Sequence, residues 1–321
     1  MRRYVIGRVA GVVPLLLGIS VMLFVILSIA PGDPVDFLLA NNPDVTPGDI
    51  VRLKHLYGLD RPVYVRYGRW LAQVAHGDLG WSVNYKLPVR QMLAERLPMS
   101  LVLMSAGLAA SILVAIPAGV YSALHQYSVF DYGATVGSFL GFSIPLFWLG
   151  LIMIYIFAVK LHVLPPGGVH APDAGTGWSA TVDFLRHLIL PAAVIALYNM
   201  ASLARYTRSS ILEVSRQDYV RTARAKGLTR WRVMTRHVMR NGMIPIVTVL
   251  ALTLPVLFGG APVTETVFGW PGVGQLLIQS VIIGDYVVAV AIVMCIAVLV
   301  VGCNLAADVL YGVLDPRVRY E

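Results

Sequence analysis

Residues 218–245 read DYVRTARAKGLTRWRVMTRHVMRNGMIP and lie between two long apolar segments. From residue 205 to residue 240 the chain carries ten Lys or Arg and only two acidic residues. Because Lys and Arg accumulate in the cytoplasmic loops of membrane proteins, we expect this basic segment in the cytoplasm. Asp218 suits a helix N-cap and Gly227 suits the position just after a helix, which predicts a short helix between them. A short helix held outside the membrane by two spans is typical of a docking element for a cytoplasmic partner.

The composition places the chain in a membrane. It is 57% hydrophobic and only 13% charged, whereas a soluble domain carries about a quarter charged residues. The formal net charge of +8 is concentrated in the basic segment, so topology explains it better than a nucleic-acid partner, which we do not expect. Cys295 and Cys303 share one apolar stretch and predict neither a disulfide nor a metal site.

Hydropathy predicts an all-α membrane protein with six transmembrane helices and both termini in the cytoplasm. The first stretch follows Arg2, Arg3 and Arg8 and is too long for a signal-peptide core, so we expect it to be retained as a span. The fourth and the fifth are the shortest. The predicted spans are 9–30, 98–123, 132–159, 187–204, 243–260 and 286–307.

This pattern divides the chain into an N-terminal transmembrane helix, an extracytoplasmic segment, a core of five further helices and a short cytoplasmic tail. Their bounds are 1–30, 31–96, 97–316 with the basic segment 205–240 inside it, and 317–321. Apolar spacing within the second part predicts short helices over 47–56 and 61–71, and a turn over 78–82. We therefore expect a small folded subdomain outside the membrane.

Small residues recur in the predicted spans and indicate where helices approach each other closely. The glycines concerned include Gly107, Gly119, Gly133, Gly137 and Gly141.

No motif of a catalytic site is present: HExxH, GxSxG, the P-loop and GxGxxG are all missing. We predict no catalytic residue, cofactor or metal. Four acids, Asp131, Asp183, Asp285 and Asp308, fall at span ends and are interpreted as interfacial charges.

Active transport by this chain would need an ion gradient or a separate ATPase. Ion-coupled carriers place polar or charged groups within spans, and the spans here are nearly uncharged. A separate ATPase acting through the basic segment is therefore favoured. An ion-coupled secondary carrier or channel that works alone, and a membrane scaffold without transport, remain alternatives.

At residues 218–228, DYVRTARAKGL, the chain resembles the "EAA" coupling loop of bacterial ATP-binding-cassette importer permeases. More narrowly, it resembles the dipeptide, oligopeptide and nickel permease family, and in its long outer segment the first of the two permease subunits of such systems. Other matching segments extend over nearly the whole chain. They are APGDP at 30–34, YGLDRP at 57–62, GDLG at 77–80, RLP at 96–98, ETVFGWPG at 265–272 and LDPR at 314–317.

The resemblance implies a type I importer permease in the inner membrane of a bacterium. Its implied partners are a second homologous permease, two cytoplasmic ATP-binding cassette subunits, an extracytoplasmic substrate-binding protein and membrane lipid. The implied substrates are di- or oligopeptides, with nickel chelates and other small solutes left open.

The resemblance also implies which residues contact the ATPase. The small Ala223 and Ala225 would allow its close approach, while Arg221 stands where the general pattern has Glu, so no salt bridge from that Glu is assumed. The predicted coupling residues are Tyr219, Arg221, Thr222, Ala223, Lys226 and Gly227.

A second, weaker set comprises Glu265, Trp270 and Asp78. These residues could line the outer mouth of a pathway or contact a binding protein. The alternative is structural: a tight turn at 269–272, with Trp270 as a membrane-interface anchor, followed by a short helix over 273–283.

Overall fold

The computed structural model describes residues 2–29, 60–82 and 84–314, together with residues 48, 52 and 55. Most of these residues are helical. In chain order the elements are α1 (Arg2–Ile29), α2 (Val63–Ala75), β1 (Trp81–Ser82), β2 (Leu87–Pro88), α3 (Val89–Leu124), α4 (Val129–Ser143), α5 (Leu146–Met153), a π-helical segment (Ile154–Lys160), α6 (Trp178–Ser215), α7 (Asp218–Ala225), α8 (Arg230–Val233), a second π-helical segment (Met234–Met239), α9 (Arg240–Gly242), α10 (Ile244–Thr253), a 3-10 segment (Leu254–Gly259), α11 (Pro262–Val267), α12 (Val273–Ile282) and α13 (Tyr286–Leu314).

Within the described ranges, four helical stretches are long and apolar enough to cross a membrane: Val89–Leu124, Trp178–Ser215, Arg230–Gly259 and Tyr286–Ala306. Shorter apolar helices cover Gly11–Ile26, Leu146–Lys160 and Val273–Ile282. The prediction of a helical membrane protein is confirmed at this level.

The predicted fourth span, 187–204, is much shorter than the helix that contains it. It lies within α6, which is 38 residues long and continues through Arg205 and Arg208. Hydropathy falls at charged residues, but the backbone hydrogen bonds of a helix continue past them. The same effect lengthens 98–123, which belongs to α3 and therefore to a helix beginning at Val89.

The predicted third span, 132–159, is divided in two. Helix α4 ends at Ser143, Pro145 has an extended backbone, and α5 begins at Leu146. Proline disfavours helical backbone at the residue before it, which explains the break.

Two compact units make up the chain: Met1–Pro98 with Val273–Glu321, and Met99–Gly272. In the first unit, Leu23 of α1 packs against Val290 and Met294 of α13, with Trp70 and Val74 of α2 beside them. A second apolar cluster joins the start of α3 to α12 and α13. Its buried members are Val89, Met92, Leu93, Val273, Leu276, Val288, Ala291 and Ile292.

The two predicted short helices at 61–71 and 273–283 are present as α2 and α12. The predicted helix at 47–56 lies outside the described residues, apart from single positions.

Asp285 is buried at the start of α13, so its interpretation as an interfacial charge is wrong. The β1–β2 ribbon pairs Ser82 with Leu87, and the Ser82 hydroxyl donates to Asp285 Oδ2 over 2.5 Å. The other carboxylate oxygen of Asp285 accepts from the Val288 N–H at 3.4 Å. Asp285 therefore both caps α13 and holds the ribbon.

Asp131 is likewise buried, and in the second unit it pairs with Arg208. The Arg208 guanidinium donates Nε to Oδ1 at 2.6 Å and Nη2 to Oδ2 at 2.7 Å. This two-point ion pair fastens the first turn of α4 to α6. Asp183 is partly buried and accepts from the Ala171 N–H at 2.9 Å.

Close helix approach is confirmed at two of the predicted glycines. A Cβ on Gly107 would lie 2.6 Å from Cγ2 of Ile195, and one on Gly119 would lie 2.6 Å from the Ala204 carbonyl oxygen and 2.7 Å from Thr207 Cβ. Both contacts bring α3 against α6, where only a hydrogen atom fits.

At Gly133 and Gly137 on α4, the predicted close approach to another helix is not found among the described residues. Apart from the backbone of its own helix, a Cβ at either position would have no described atom within 4 Å. A Cβ at Gly141 would be in ordinary van der Waals contact with Ala201, 3.6 Å from its Cβ.

Gly119→Ala is therefore expected to push α3 from α6 and lower the free energy of unfolding by about 1–3 kcal/mol. Gly137→Ala is the matched control, which should be neutral or stabilising by up to about 1 kcal/mol because Ala favours helix. Unfolding of the purified chain by SDS titration in mixed micelles measures both. Equal destabilisation by the two variants would contradict the assigned packing.

Candidate functional site

The predicted short helix in the basic segment is confirmed as α7, which runs from Asp218 to Ala225. The prediction that Asp218 is the N-cap of α7 is wrong, because Asp218 is the first helical residue. Gln217, with extended backbone, occupies the N-cap position and makes no side-chain capping bond. The Asp218 carboxylate instead lies 3.6 Å from Arg221 Nη1, in the first turn, where a negative charge interacts favourably with the helix dipole.

Gly227 ends α7 as predicted. Its φ of +77° is left-handed, a conformation that glycine adopts without the steric cost of a Cβ. The Gly227 N–H donates to the Arg224 carbonyl at 3.0 Å and the Leu228 N–H to the Ala223 carbonyl at 3.4 Å. This pair of bonds is the Schellman motif, which turns the chain sharply out of a helix.

One face of α7 is buried against the rest of the second unit. Val220 is 0% exposed and Ala223 is 6% exposed. They belong to an apolar group, here called the anchor cluster, that joins α3, α6, α7 and the segment after it. The buried members of the anchor cluster are Ala123, Ile211, Val220, Ala223, Val233 and Val238.

The anchor cluster corrects the prediction for Ala223. This side chain faces its own subunit, because residues three apart, such as 220 and 223, lie on the same face of a helix. The small size of Ala223 allows α7 to approach its own scaffold. Ala225, by contrast, is exposed.

The opposite face of α7 is exposed and basic. Tyr219 is partly covered, since Asn241 Nδ2 donates to its hydroxyl at 3.2 Å, and Thr222 donates its hydroxyl to the Asp218 carbonyl at 2.9 Å. Arg224, absent from the predicted coupling set, belongs to this face. The exposed residues from 219 to 227 are Tyr219, Arg221, Thr222, Arg224, Ala225, Lys226 and Gly227.

After Gly227 the chain enters the helical stretch Arg230–Gly259. Thr229 caps it, accepting the Arg232 N–H on its hydroxyl at 3.4 Å. Trp231, in the first turn, is 75% exposed. Sequence analysis did not single it out, although a tryptophan among arginines was the available signal.

Trp270 lies in the core and is not an interface anchor. It is 0% exposed, its indole Nε1 donates to the Met99 carbonyl at 2.9 Å, and it packs with Leu103 and Ile195.

Glu265 is also fully buried. Its Oε1 accepts from the Ser100 hydroxyl at 2.7 Å and from the Ala261 N–H at 3.1 Å. Gly272 lies against its carboxylate, leaving no room there for a Cβ. In this conformation Glu265 and Trp270 shape the 261–272 turn and are not available at the surface of the chain.

Asp78 is exposed, and the predicted turn over 78–82 is present only in its first part, because Trp81 and Ser82 form strand β1. Asp78 Oδ1 accepts from the Gly80 N–H at 3.0 Å, and Gly80 adopts a left-handed φ of +89°. The turn leads directly into the β1–β2 ribbon.

In the parts of the chain that the structure describes, no three His, Cys, Asp or Glu residues are arranged to hold a metal ion. Cys295 and Cys303 are free thiols.

Comparison with known proteins gives the family. Residues 115–320 match the binding-protein-dependent transport system inner membrane component, and residues 1–104 match the N-terminal part of the same membrane components. The chain is 43% identical to the oligopeptide transport system permease protein AppB of Bacillus subtilis, with 100% of both chains covered. It is 40% identical to a putative peptide permease protein of Brucella suis, with 99% of each covered, and 37% identical to the dipeptide transport system permease protein DppB of Escherichia coli, with 100% of each covered.

These matches cover both the basic segment and the outer segment, on which the resemblance rested. They make the chain a permease component and not an enzyme, with ATP hydrolysed by separate subunits. The chain belongs to the family of inner-membrane permease components of binding-protein-dependent ATP-binding-cassette transport systems.

Proposed function

We propose that this chain forms half of the translocation pathway of an ATP-driven peptide importer, for di- or oligopeptides. The peptide substrate is supported by the relatives named as oligopeptide and dipeptide permeases, at 43% and 37% identity over the full chain. A second, homologous permease supplies the other half of the pathway. An extracytoplasmic binding protein delivers the peptide.

The observation that carries this proposal is that α7 is buried on one face and exposed on the other. Its apolar face is fixed in the anchor cluster, while its basic face is exposed, with no covering element among the residues that the structure describes. An ATPase subunit binds this exposed face, and the small Ala225 lets the two backbones approach. When the two ATPases close on ATP, each pulls one such helix, and the spans attached to it reorient.

The same proposal places the chain in the inner membrane of a bacterium, with six spans and both termini in the cytoplasm. It is supported by the basic residues at positions 205–240 and by the absence of Lys and Arg from residue 242 to residue 316. Residues 31–96 then lie outside, where Asp78 and the ribbon are offered to the binding protein. An ion-coupled carrier acting alone loses its support, because the chain belongs to a family that works with separate ATPases.

Ala225→Leu is expected to leave the fold intact and to lower ATPase binding at least tenfold, because a larger side chain separates the docked backbones. Ala223→Leu is the matched variant on the same helix. It overfills the anchor cluster and should lower the free energy of unfolding by about 1–3 kcal/mol. Co-purification of the ATPase and SDS titration of the isolated chain measure the two effects.

Normal ATPase co-purification with Ala225→Leu would contradict the docking face. If Ala225→Leu lowered the free energy of unfolding as much as Ala223→Leu does, that would contradict the docking face as well.

Gly227→Leu is expected to reduce peptide uptake and uncouple it from ATP hydrolysis, because a left-handed backbone costs a residue with a Cβ about 1–2 kcal/mol. No steric clash with the described part of the chain contributes, since a Cβ at Gly227 would have no neighbour there within 4 Å. Gly227→Asn should retain most of the uptake, since Asn tolerates this conformation. Uptake and ATPase rates in proteoliposomes measure the coupling, and unchanged uptake by the Leu variant would refute this role.

Trp270→Phe is expected to lower the free energy of unfolding by about 1–3 kcal/mol, because the buried Met99 carbonyl loses its donor. Trp231→Phe, at an exposed tryptophan, is the control and should change stability by less than about 0.5 kcal/mol. If Trp270 acts instead as a direct contact for the binding protein, Trp270→Phe will weaken that binding and leave stability unchanged.

A further inference from the structure

Helix α2 carries its polar and apolar side chains on opposite faces. Residues three and four positions apart lie on the same face of a helix, so Arg66, Arg69 and Gln73 share one face. The opposite face is made of aromatic and aliphatic side chains: Val63, Tyr64, Tyr67, Trp70, Leu71 and Val74. Basic residues on one face and aromatic residues on the other are typical of helices that lie in a membrane surface.

Part of the apolar face of α2 is docked on α1. The Tyr67 hydroxyl donates to Ser20 Oγ at 2.9 Å, because Ser20 uses its own proton to donate to the Leu17 carbonyl at 2.8 Å. The ring of Phe24 lies 5.4 Å from that of Tyr67 and 5.7 Å from that of Trp70, between centroids. One hydrogen bond and two ring contacts therefore fix α2 to the side of α1.

These contacts fall in the parts of the unit that are apolar enough for a membrane. Phe24 belongs to the apolar stretch Gly11–Ile26, and Met294, in the cluster against which Trp70 packs, belongs to the candidate span Tyr286–Ala306. Phe24 lies about 9 Å along the helix from Ala30, the predicted outer end of its span. Helices of a membrane surface bury their apolar face by about 5–10 Å, so the docking depth of α2 matches that of such a helix.

The apolar face of α2 is wider than the surface on which it docks. Val63 is 54% exposed and Tyr64 is 76% exposed, and Tyr64 lies one helical turn from the docked Tyr67. On α1, Val21 and Val25 follow the two docked residues directly and are also exposed. In a membrane-spanning helix such side chains face lipid acyl chains, and the exposed apolar side chains of α2 lie close to the same level.

We propose that α2 is a membrane-surface helix that binds phospholipids of the outer leaflet. Acyl chains cover Val63 and Tyr64, while the guanidinium groups of Arg66 and Arg69 bind lipid phosphates. Guanidinium forms charge-assisted hydrogen bonds with phosphate, and a long arginine side chain reaches the surface while its aliphatic stem stays in apolar surroundings. The inference rests on the proposed function for its orientation, which puts residues 31–96 outside.

Photocrosslinking tests the acyl-chain contact on the full-length chain, assembled with its partner subunits in vesicles of phosphatidylethanolamine and phosphatidylglycerol. A benzoylphenylalanine at position 64 should give an adduct whose added mass is that of one phospholipid, because benzophenone reacts with C–H bonds within its reach. The same group in place of Gln73, which is exposed on the polar face of α2, is the matched control. Its lipid adduct should be lost or much weaker.

The phosphate contact is tested by the lipid class found in the adducts at position 64. Arg69→Gln should lower the proportion of phosphatidylglycerol to phosphatidylethanolamine about fivefold, the worth of one basic side chain near an anionic membrane surface. Arg69→Lys keeps the charge and should keep the proportion. An unchanged proportion with Arg69→Gln would refute the phosphate contact.

Two results would overturn the membrane-surface position: no lipid adduct at position 64, or equal lipid adducts at positions 64 and 73. An adduct at position 64 with the substrate-binding protein in place of lipid would assign this face to that partner instead. Peptide uptake by the same vesicles tests the proposed function separately, since a lipid adduct at α2 forms whether or not peptide is transported.

Discussion

The burial of Val220 and Ala223 in the anchor cluster is the interaction on which the proposed coupling site depends. The same cluster contains Ile211 near the end of α6, Ala123 near the end of α3 and Val233 near the start of the next helical stretch. A force applied to α7 is therefore transmitted to three helices at once. Because close-packed interiors transmit strain rather than deform gradually, a displacement of this short helix moves the ends of those helices together. For the basic charge of the segment we propose a separate cause, a position on the cytoplasmic side of the membrane.

Much of the fold follows from two simple patterns. Apolar length predicted helices over the described parts of the chain, and glycine chemistry located the end of α7 at Gly227. Helix ends were less accessible, since hydropathy stops at charges such as Arg205 although α6 continues to Ser215. Glycine spacing alone also could not tell Gly119, which touches another helix, from Gly137, which does not. That distinction depends on which side of each helix faces a neighbour.

For the candidate site, local spacing was informative and distant pairing was not. The three-residue interval from 220 to 223 could have shown that Ala223 shares a buried face with Val220. The partner of the Trp270 indole, however, is a carbonyl 171 residues away, and Arg208 is 77 residues from Asp131. Buried polar groups need such partners, but nothing in the local sequence identifies them. Trp270 and Asp131 were therefore interpreted as interfacial when both are buried.

Site-specific photocrosslinking measures the central claim most directly, that the exposed face of α7 contacts the ATPase. A benzoylphenylalanine at position 221 of the full-length chain, irradiated in the assembled transporter, should give one adduct whose added mass is that of the ATP-binding subunit. The same group in place of Tyr64, which is exposed on α2, should give no such adduct. An absent adduct at position 221 in an assembled, ATP-hydrolysing complex, or an equal ATPase adduct at position 64, would contradict the account.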